Sequence, residues 1–520
     1  MDEDFHFADA GSVENKIPED KEFKQNIKRL IFGIIILLIL IGLVILIFII
    51  SSSNSKDDYI HPKSDIIGEI QCIYDIESIS LTQILGNDFI KNSNFDIEIN
   101  GQKIKYSKEY KFSETGQQKV IFLLYDNLNM ENMFKGVSSL YSVKMHSDKN
   151  AKIDFIDSAF ENCLKLTNFK IIGFNLADLK SMKKLFYKSG LNSFDSDYLR
   201  TQNLLDISYM FAETNLEKIK MSLLDTSAVY NMSHLFEKCA SLNDIYILEL
   251  KTDKVKDMSY MFSGCEILES IDLSSLNTSN LENMSNMFKD CILLTSIDLS
   301  NLDTKNIVDM SYLFDSCSSL KKINLDNLDT SKVQNMAFMF SQLTNLESLD
   351  LSNFNTKNVK SMKSMFLFNR NLKELNLTNL NTQNVEDMSY MFENCISLQS
   401  IDVSSFDTRN VINIKGMFKD CQSITNLNLK NFVTSKVIDF SELFRGCYKL
   451  SSLNLPNFET SNAKNMYMTF GECGSLTSIQ ISQNNFKTNN VENMSFMFYH
   501  CTGLTSIDLT SFETSKVIDM

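Results

Sequence analysis

Residues 387–411 read DMSYMFENCISLQSIDVSSFDTRNV, and this stretch decides the fold. Its Met388, Phe392 and Cys395 follow the spacing of one helical face, which predicts a short helix or 3₁₀ turn. In residues 400–404 apolar side chains alternate with polar ones, which predicts a short strand with one buried face. One unit therefore combines a helical turn with a strand.

The same unit recurs along most of the chain. Its phenylalanine returns fifteen times at a spacing of 26 residues, with two gaps of 25 and one of 28, at positions 134, 160, 186, 211, 236, 262, 288, 314, 340, 366, 392, 418, 444, 470 and 498. A fixed period of this size is typical of a solenoid, in which each unit stacks on its neighbour. We therefore expect an α/β solenoid of about fifteen repeats over residues 126–520, with one short parallel strand and one short helix or 3₁₀ turn per repeat.

A family resemblance rests on two of these units. Residues 283–307, NMSNMFKDCILLTSIDLSNLDTKNI, and residues 387–411 resemble the 26-residue repeat of BspA-like leucine-rich-repeat surface proteins. The resemblance implies a leucine-rich-repeat-like stack on a cell surface. It also implies adhesion or recognition of an extracellular protein or glycan. A structural coat or spacer without a ligand, or an arm that presents a further C-terminal domain, are the alternatives.

Charge and motif content argue against several other classes of function. The 520 residues contain 50 Lys and Arg against 65 Asp and Glu, a net charge of -15 that disfavours nucleic-acid binding. The five histidines are scattered, and the sequence contains no glycine-rich phosphate loop and no H-E-x-x-H motif. We expect a protein that is not an enzyme and has no cofactor, catalytic site or metal site.

One segment predicts a membrane anchor. Residues 30–50 read LIFGIIILLILIGLVILIFII, and as a helix these 21 residues would span about 30 Å of bilayer core. Four basic residues precede the segment and two follow it, which predicts a cytoplasmic N-terminus and a single-pass type II protein of the plasma membrane with extracellular repeats: Lys21, Lys24, Lys28, Arg29, then Lys56 and Lys63. A cleavable signal peptide remains the alternative.

The remaining segments complete the predicted organisation. Residues 1–29 read as a disordered cytoplasmic tail and residues 51–59 as a linker. Residues 60–125 predict a small β-rich cap, with an immunoglobulin-like fold as one option, that would cover the first repeat. The chain stops at Met520, within a repeat, which predicts truncation at the C-terminus.

The outward-facing strand positions are the candidate ligand face. They are basic in the first repeats and mostly acidic or amide afterwards, and the selected residues are Lys144, Lys170, Lys220, Tyr246, Asp272, Asp298, Asp350 and Asp402. A solvated sheet face without a ligand is the alternative. We expect any specific contact with a ligand to lie around Lys170, Lys220 and Tyr246, where the repeat departs from its own consensus.

Cysteines and sequons offer further candidates. Ten of the eleven cysteines stand three residues after the repeat phenylalanine, which favours a ladder of buried thiols over disulfides, since other repeats have Val or Leu there. Cys72 is the candidate for a free or intermolecular thiol. Five Asn-x-Ser/Thr sequons predict possible N-glycosylation in a eukaryotic secretory pathway: Asn231, Asn277, Asn283, Asn376 and Asn493.

Overall fold

The computed structural model describes residues 63–196, 199–221, 224–247 and 250–520. The chain divides into two compact units, Met1–Asp65 and Ile66–Met520. In the first unit the described residues form a 3₁₀ turn, Lys63–Asp65. The predicted tail, membrane helix and linker lie outside the described residues. Within the described part of the chain, no helix has the length and apolar character needed to cross a membrane.

Short strands account for most of the regular structure of the second unit. Seven precede the first full repeat: β1 (Gly68–Ile76), β2 (Leu81–Gln83), β3 (Phe95–Ile99), β4 (Gln102–Ile104), β5 (Glu109–Lys111), β6 (Gly116–Leu124) and β7 (Leu128–Asn129). Fourteen follow: β8 (Leu140–His146), β9 (Ile153–Phe155), β10 (Asn168–Ile172), β11 (Ser193–Asp195), β12 (Lys218–Lys220), β13 (Asp244–Tyr246), β14 (Ser296–Asp298), β15 (Lys322–Asn324), β16 (Ser348–Asp350), β17 (Glu374–Asn376), β18 (Ser400–Ile401), β19 (Asn426–Leu427), β20 (Ser452–Leu455) and β21 (Ser478–Ile481).

The N-terminal strands continue directly into the repeats. One six-stranded sheet has the order β10-β8-β1-β6-β3-β4. Strand β1 is antiparallel to β6 on one side and to β8 on the other, whereas β8 and β10 are parallel. Along β1, Ile70, Cys72 and Tyr74 are buried and their neighbours point outward. The hydrogen-bonding edge of the first repeat strand is thus occupied by β1 rather than left open.

The solenoid has about 13 stacked coils, against the fifteen or so repeats that were predicted. Their strands pair in parallel with residues one repeat apart in register, as Ile297 with Ile323 and Leu349 with Leu375. Strands β14 and β16 turn their middle side chain toward the interior and their outer two toward solvent, which is the pattern the alternation predicts. The predicted solenoid of stacked coils with parallel strands is therefore confirmed.

The repeat phenylalanines form one continuous column in the core. Neighbouring rings are stacked, with centroids 5.5 Å apart for Phe366 and Phe392 and 5.6 Å apart for Phe392 and Phe418. All three rings are fully buried, and so are Met388 and Cys395 of the same repeat. Because each coil alone would expose its apolar side, stacking supplies the core.

The segment around each phenylalanine is not a helix, and the predicted α/β class is wrong in this respect. The backbone N–H groups of Tyr390, Phe392 and Asn394 donate to carbonyls of the following coil at 2.8–2.9 Å. Tyr390 and Asn394 have φ of 57° and 60°, the left-handed region. A helix requires a run of right-handed residues bonded within one segment. In this segment residues in the left-handed region instead interrupt the right-handed ones. As a result, every second backbone N–H points toward the next coil.

Candidate recognition face

The basic end of the candidate face lies on adjacent strands. Lys144 on β8 and Lys170 on β10 are directly opposite each other in the parallel ladder, and both side chains are exposed. Asp195, Lys220 and Tyr246 occupy equivalent positions on β11, β12 and β13. The Nζ of Lys220 lies 4.0 Å from the Oδ1 of Asp195. The structure therefore brings these residues together, one on each of five successive coils.

An open concavity of about 670 Å³ lies at this end of the face. Its lining includes Lys144, Lys170 and Asp195, together with Phe169. The Phe169 ring is half-buried and contacts the edges of two core rings, Phe160 and Phe186, at centroid distances of 5.2 Å and 4.9 Å. Strands β10 and β11 belong to different sheets, so the concavity coincides with an interruption of the ladder.

The acidic part of the face is spread over separate coils. Asp272, Asp298, Asp350 and Asp402 are all exposed. In each, Oδ1 accepts the backbone N–H of the residue two positions later, at 2.8–3.0 Å. Hydrogen bonds from these following serines lower the pKa of all four carboxyls. The same contact fixes the turn that ends each strand, so these aspartates have a structural role as well as a charge.

In the described ranges, no group of three or more His, Cys, Asp or Glu side chains is arranged to hold a metal ion. The aspartates of the candidate face stand one per coil, and in the strand pairs β14–β15 and β16–β17 the neighbours of Asp298 and Asp350 are Asn324 and Asn376. A carboxylate beside an amide offers few ligands for a divalent cation, which prefers several oxygens around one point.

The cysteines form a ladder of buried free thiols. All eleven are unbridged; Cys501 is half-buried and the others are buried. In Cys291, Cys395 and Cys447 the thiol donates to the carbonyl of the phenylalanine 29 residues earlier, at 3.1–3.2 Å. Burial raises the pKa of Cys395 to about 12. The alternative of disulfides in the repeats is not realised.

Cys72 is a free thiol, one of the two options predicted for it, but its burial disfavours the other option, an intermolecular disulfide. Its side chain is fully buried on the inner face of β1. Burial raises the pKa of the thiol far above its ordinary value, although a hydrogen bond with Tyr74 opposes the effect. A partner thiol would have to unfold this sheet to reach it.

The predicted sequons occupy two kinds of site. Asn277 and Asn376 are exposed, whereas Asn231, Asn283 and Asn493 are half-buried. In the half-buried three, Oδ1 accepts the backbone N–H of the sequon serine at 2.9–3.1 Å. These asparagines are also joined to neighbouring coils by β-bridges.

A stack of rings in the turn segments was missed from the sequence. The ring of His234 lies between Tyr209 and Tyr260, with centroid distances of 4.0 Å and 4.4 Å, and its Nδ1 is 2.8 Å from Glu237. Lys184 lies over the Tyr209 ring at 5.5 Å. All three stacked residues stand two positions before a repeat phenylalanine, a spacing that could have revealed them.

Comparison with known sequences identifies the repeats. The family described as "Mycoplasma protein of unknown function, DUF285" matches residues 126–222, 205–322, 290–379, 361–483 and 423–520. The chain belongs to this family. Its repeats are of the BspA-like leucine-rich type, as the resemblance predicted. None of the curated proteins matches the chain.

Solved leucine-rich-repeat structures are similar at low identity. A leucine-rich repeat protein from Bacteroides ovatus is 18% identical, with 82% of this chain and 99% of that chain covered and a TM-score of 0.40. A leucine rich cell surface protein from Faecalibacterium prausnitzii is 17% identical, with coverage of 69% and 84% and a TM-score of 0.34. The functional domain of InlJ from Listeria monocytogenes, which includes a cysteine ladder, is 14% identical, with coverage of 73% and 67% and a TM-score of 0.21.

Proposed function

We propose that this DUF285 protein is a non-catalytic, membrane-anchored recognition protein of the cell surface. The apolar residues 30–50 support a single-pass type II anchor that leaves the repeats outside the cell. The protein from Faecalibacterium prausnitzii, described as a cell surface protein, shares the repeat type. Its ligand would be an extracellular protein or glycan bound by the outward strand face.

The concavity between β10 and β11 is the observation that carries the proposal. It combines two exposed lysines on adjacent strands with a half-buried aromatic ring, in a chain whose net charge is -15. Local positive charge on an acidic protein attracts anionic groups selectively. The favoured ligand therefore has acidic groups, such as the carboxylates of a protein or glycan.

Binding to immobilised extracellular proteins and glycans tests this function. We expect intact cells that display the full chain to attach, and Lys144→Glu with Lys170→Glu to reduce attachment at least tenfold. Lys254→Glu, at an exposed lysine that does not line the concavity, makes a control for the change of charge and should attach normally. Equal attachment by both variants, or none by the wild-type chain, would reject recognition through this concavity.

Topology is tested separately on the same cells. Protease added outside intact cells should remove the repeats, and an N-terminal epitope should become accessible to antibody only after permeabilisation. Repeats that resist protease on intact cells but are cleaved after lysis would place them on the other side of the membrane.

A structural coat or spacer is the second candidate function. The intrachain hydrogen bonds of Asp272, Asp298, Asp350 and Asp402 favour it, because these carboxylates already serve the fold. If the repeats act only as a spacer, replacing them with an unrelated solenoid of equal length should leave attachment and surface properties unchanged.

A further inference from the structure

The outward strand position changes charge along the stack in a self-complementary order. Over the ten coils that begin at β8 it reads Lys144, Lys170, Asp195, Lys220, Tyr246, Asp272, Asp298, Asn324, Asp350 and Asn376. Three lysines fall in the first four coils, and aspartates alternate with asparagines at the end of the series. A basic half and an acidic half therefore share one face.

We propose that two copies of the chain dock strand face to strand face, with antiparallel stacks related by a two-fold axis that runs parallel to the strands between the coils of Tyr246 and Asp272. Lys170 of one copy then faces Asp350 of the other, and Lys220 faces Asp298. This homophilic contact rests on the proposed recognition function and names its partner as a second copy of this chain.

The two-fold axis doubles every pairing, as it does in any isologous dimer. Four Lys–Asp ion pairs form in total, two from Lys170 and two from Lys220. Asp195 faces Asn324 of the other copy, a carboxylate against an amide. In the coils that flank the axis, the series places no lysine against a lysine and no aspartate against an aspartate.

A dimer shifted by one coil in either direction would bring like charges face to face. A shift by one coil in one direction places Asp195 against Asp298, and a shift in the other direction places it against Asp350. Like charges brought face to face act against association. The residues at the start of each strand form a second outward column, which also supports the proposed register. In that register Lys218 faces Ser296 and Lys322 faces Ser193, so neither lysine meets a like charge.

The side chains involved are suitably exposed and charged. Asp298 and Asp350 use Oδ1 for the backbone N–H groups of Ser300 and Ser352, at 2.9 Å and 2.8 Å, which fixes their direction. Lys220 and Asp195 are 53% and 56% exposed at a separation of 4.0 Å. An exposed pair at this distance is weak, so the pair with Asp195 does not by itself prevent Lys220 from meeting Asp298 of the other copy.

The expected contact is small and sensitive to salt. Ten coils at about 4.8 Å each give a length of about 48 Å, and a strand face about 10 Å wide would bury roughly 1,000 Å² in total, the lower end for a specific interface. Exposed ion pairs weaken as salt shortens the screening length. Many copies on two opposed surfaces would multiply this weak affinity.

Sedimentation of the full chain in detergent micelles tests the contact. We expect a monomer–dimer equilibrium at low salt that shifts to monomer at 0.5 M NaCl. Lys170→Glu with Lys220→Glu should weaken self-association at least tenfold, and so should Asp298→Lys with Asp350→Lys. Mixing the two double variants gives four complementary ion pairs in the heterodimer, two of the original sign and two reversed, so heterodimers should form as readily as wild-type dimers.

Asp508→Lys is the matched control. Asp508 has the corresponding position in its own repeat and accepts the N–H of Thr510 at 3.0 Å in the same manner, but it lies outside the ten overlapping coils. Its variant should dimerise like the wild-type chain. Should the lysine variants misfold, Asp298→Asn with Asp350→Asn keeps the turn acceptor and should still weaken self-association several-fold.

Several outcomes would overturn the contact. A wild-type chain that remains monomeric at low salt excludes it, and attachment that still depends on Lys144 and Lys170 would then leave the proposed function standing. A mixture of double variants that stays monomeric, or an Asp508→Lys variant as defective as Asp350→Lys, excludes the register.

Discussion

In several repeats a threonine joins two coils through a single hydroxyl group. The Oγ1 of Thr382, which is almost fully buried, donates to the carbonyl of Asp407 at 3.0 Å and accepts the N–H of the same residue at 2.8 Å. Thr330 and Thr408 make the same pair of bonds with Asn355 and Val433. One side chain thereby satisfies both polar groups of a backbone unit in the next coil.

Thr382→Val should destabilise the chain by about 2–4 kcal/mol, because it leaves two partly buried backbone groups without their partner. Thr382→Ser keeps the hydroxyl and loses a methyl group, which costs about 1 kcal/mol. Urea unfolding followed by circular dichroism measures both. A loss for Thr382→Val no larger than that for Thr382→Ser would show that the hydroxyl contributes no more to stability than the methyl group does.

Cysteine reactivity should follow burial. Cys501 is half-buried, whereas Cys291 and Cys395 are buried with thiol pKa values raised by burial to about 12. The reactive thiolate is therefore scarce at pH 8 in the ladder. We expect maleimide at pH 8 to modify one thiol of the native chain quickly, and Cys501→Ala to abolish that fast phase. Mass spectrometry of peptides checks this; rapid labelling of Cys395 in the folded chain would contradict it.

In the turn segment around each repeat phenylalanine, residues in the left-handed region direct backbone N–H groups toward the next coil. Asn394, at φ 60°, donates its N–H to Lys419 of the next coil at 2.8 Å. Asn394→Val should lower stability by about 1–2 kcal/mol, since a β-branched side chain is disfavoured in the left-handed region. Asn394→Gly, which retains the conformation without strain, should be neutral or nearly so. Thermal melting compares them, and an unchanged melting temperature for Asn394→Val would reject this explanation.

The sequence predicted which side chains of this segment are buried, but it did not predict the backbone conformation of the segment. Helical spacing brings Met388, Phe392 and Cys395 to one side, and the observed turns also bury all three. The left-handed positions contain Asn394 and Gly416, which favour φ above zero. They also contain Tyr390 and Phe338, which do not. Inter-coil hydrogen bonds override the local preference there, and a single sequence does not reveal those bonds.

For the whole molecule, strand alternation predicted the exposed column but not the concavity within it. Lys144 and Lys170 could be placed on one face because side chains alternate along a strand. The volume beside them depends on the interruption between β10 and β11, which arises from how two sheets separate. The continuation of the antiparallel strands into β8 likewise depends on long-range pairing, which the local pattern of residues 60–125 leaves undetermined.

That continuation makes the first coils depend on β1. Ile70 is fully buried and lies opposite Phe122 of β6 and Met145 of β8. Ile70→Asp would bury an unpaired carboxylate between these strands, at a cost of several kcal/mol. Since coils contact mainly their neighbours, stability is lost locally and spreads along the stack only gradually.

Hydrogen exchange of the full chain should therefore show a polarised response to Ile70→Asp. We expect amides of β8 and β10 to lose protection at least tenfold, while Phe418, whose N–H is bonded to Leu443 at 3.0 Å, keeps its wild-type rate. Ile73→Asp is the matched control, because Ile73 points outward on the same strand and lies opposite Lys119. Uniform loss of protection along the chain would mean that the solenoid unfolds as one cooperative body, and that the N-terminal sheet stabilises distant coils as strongly as near ones.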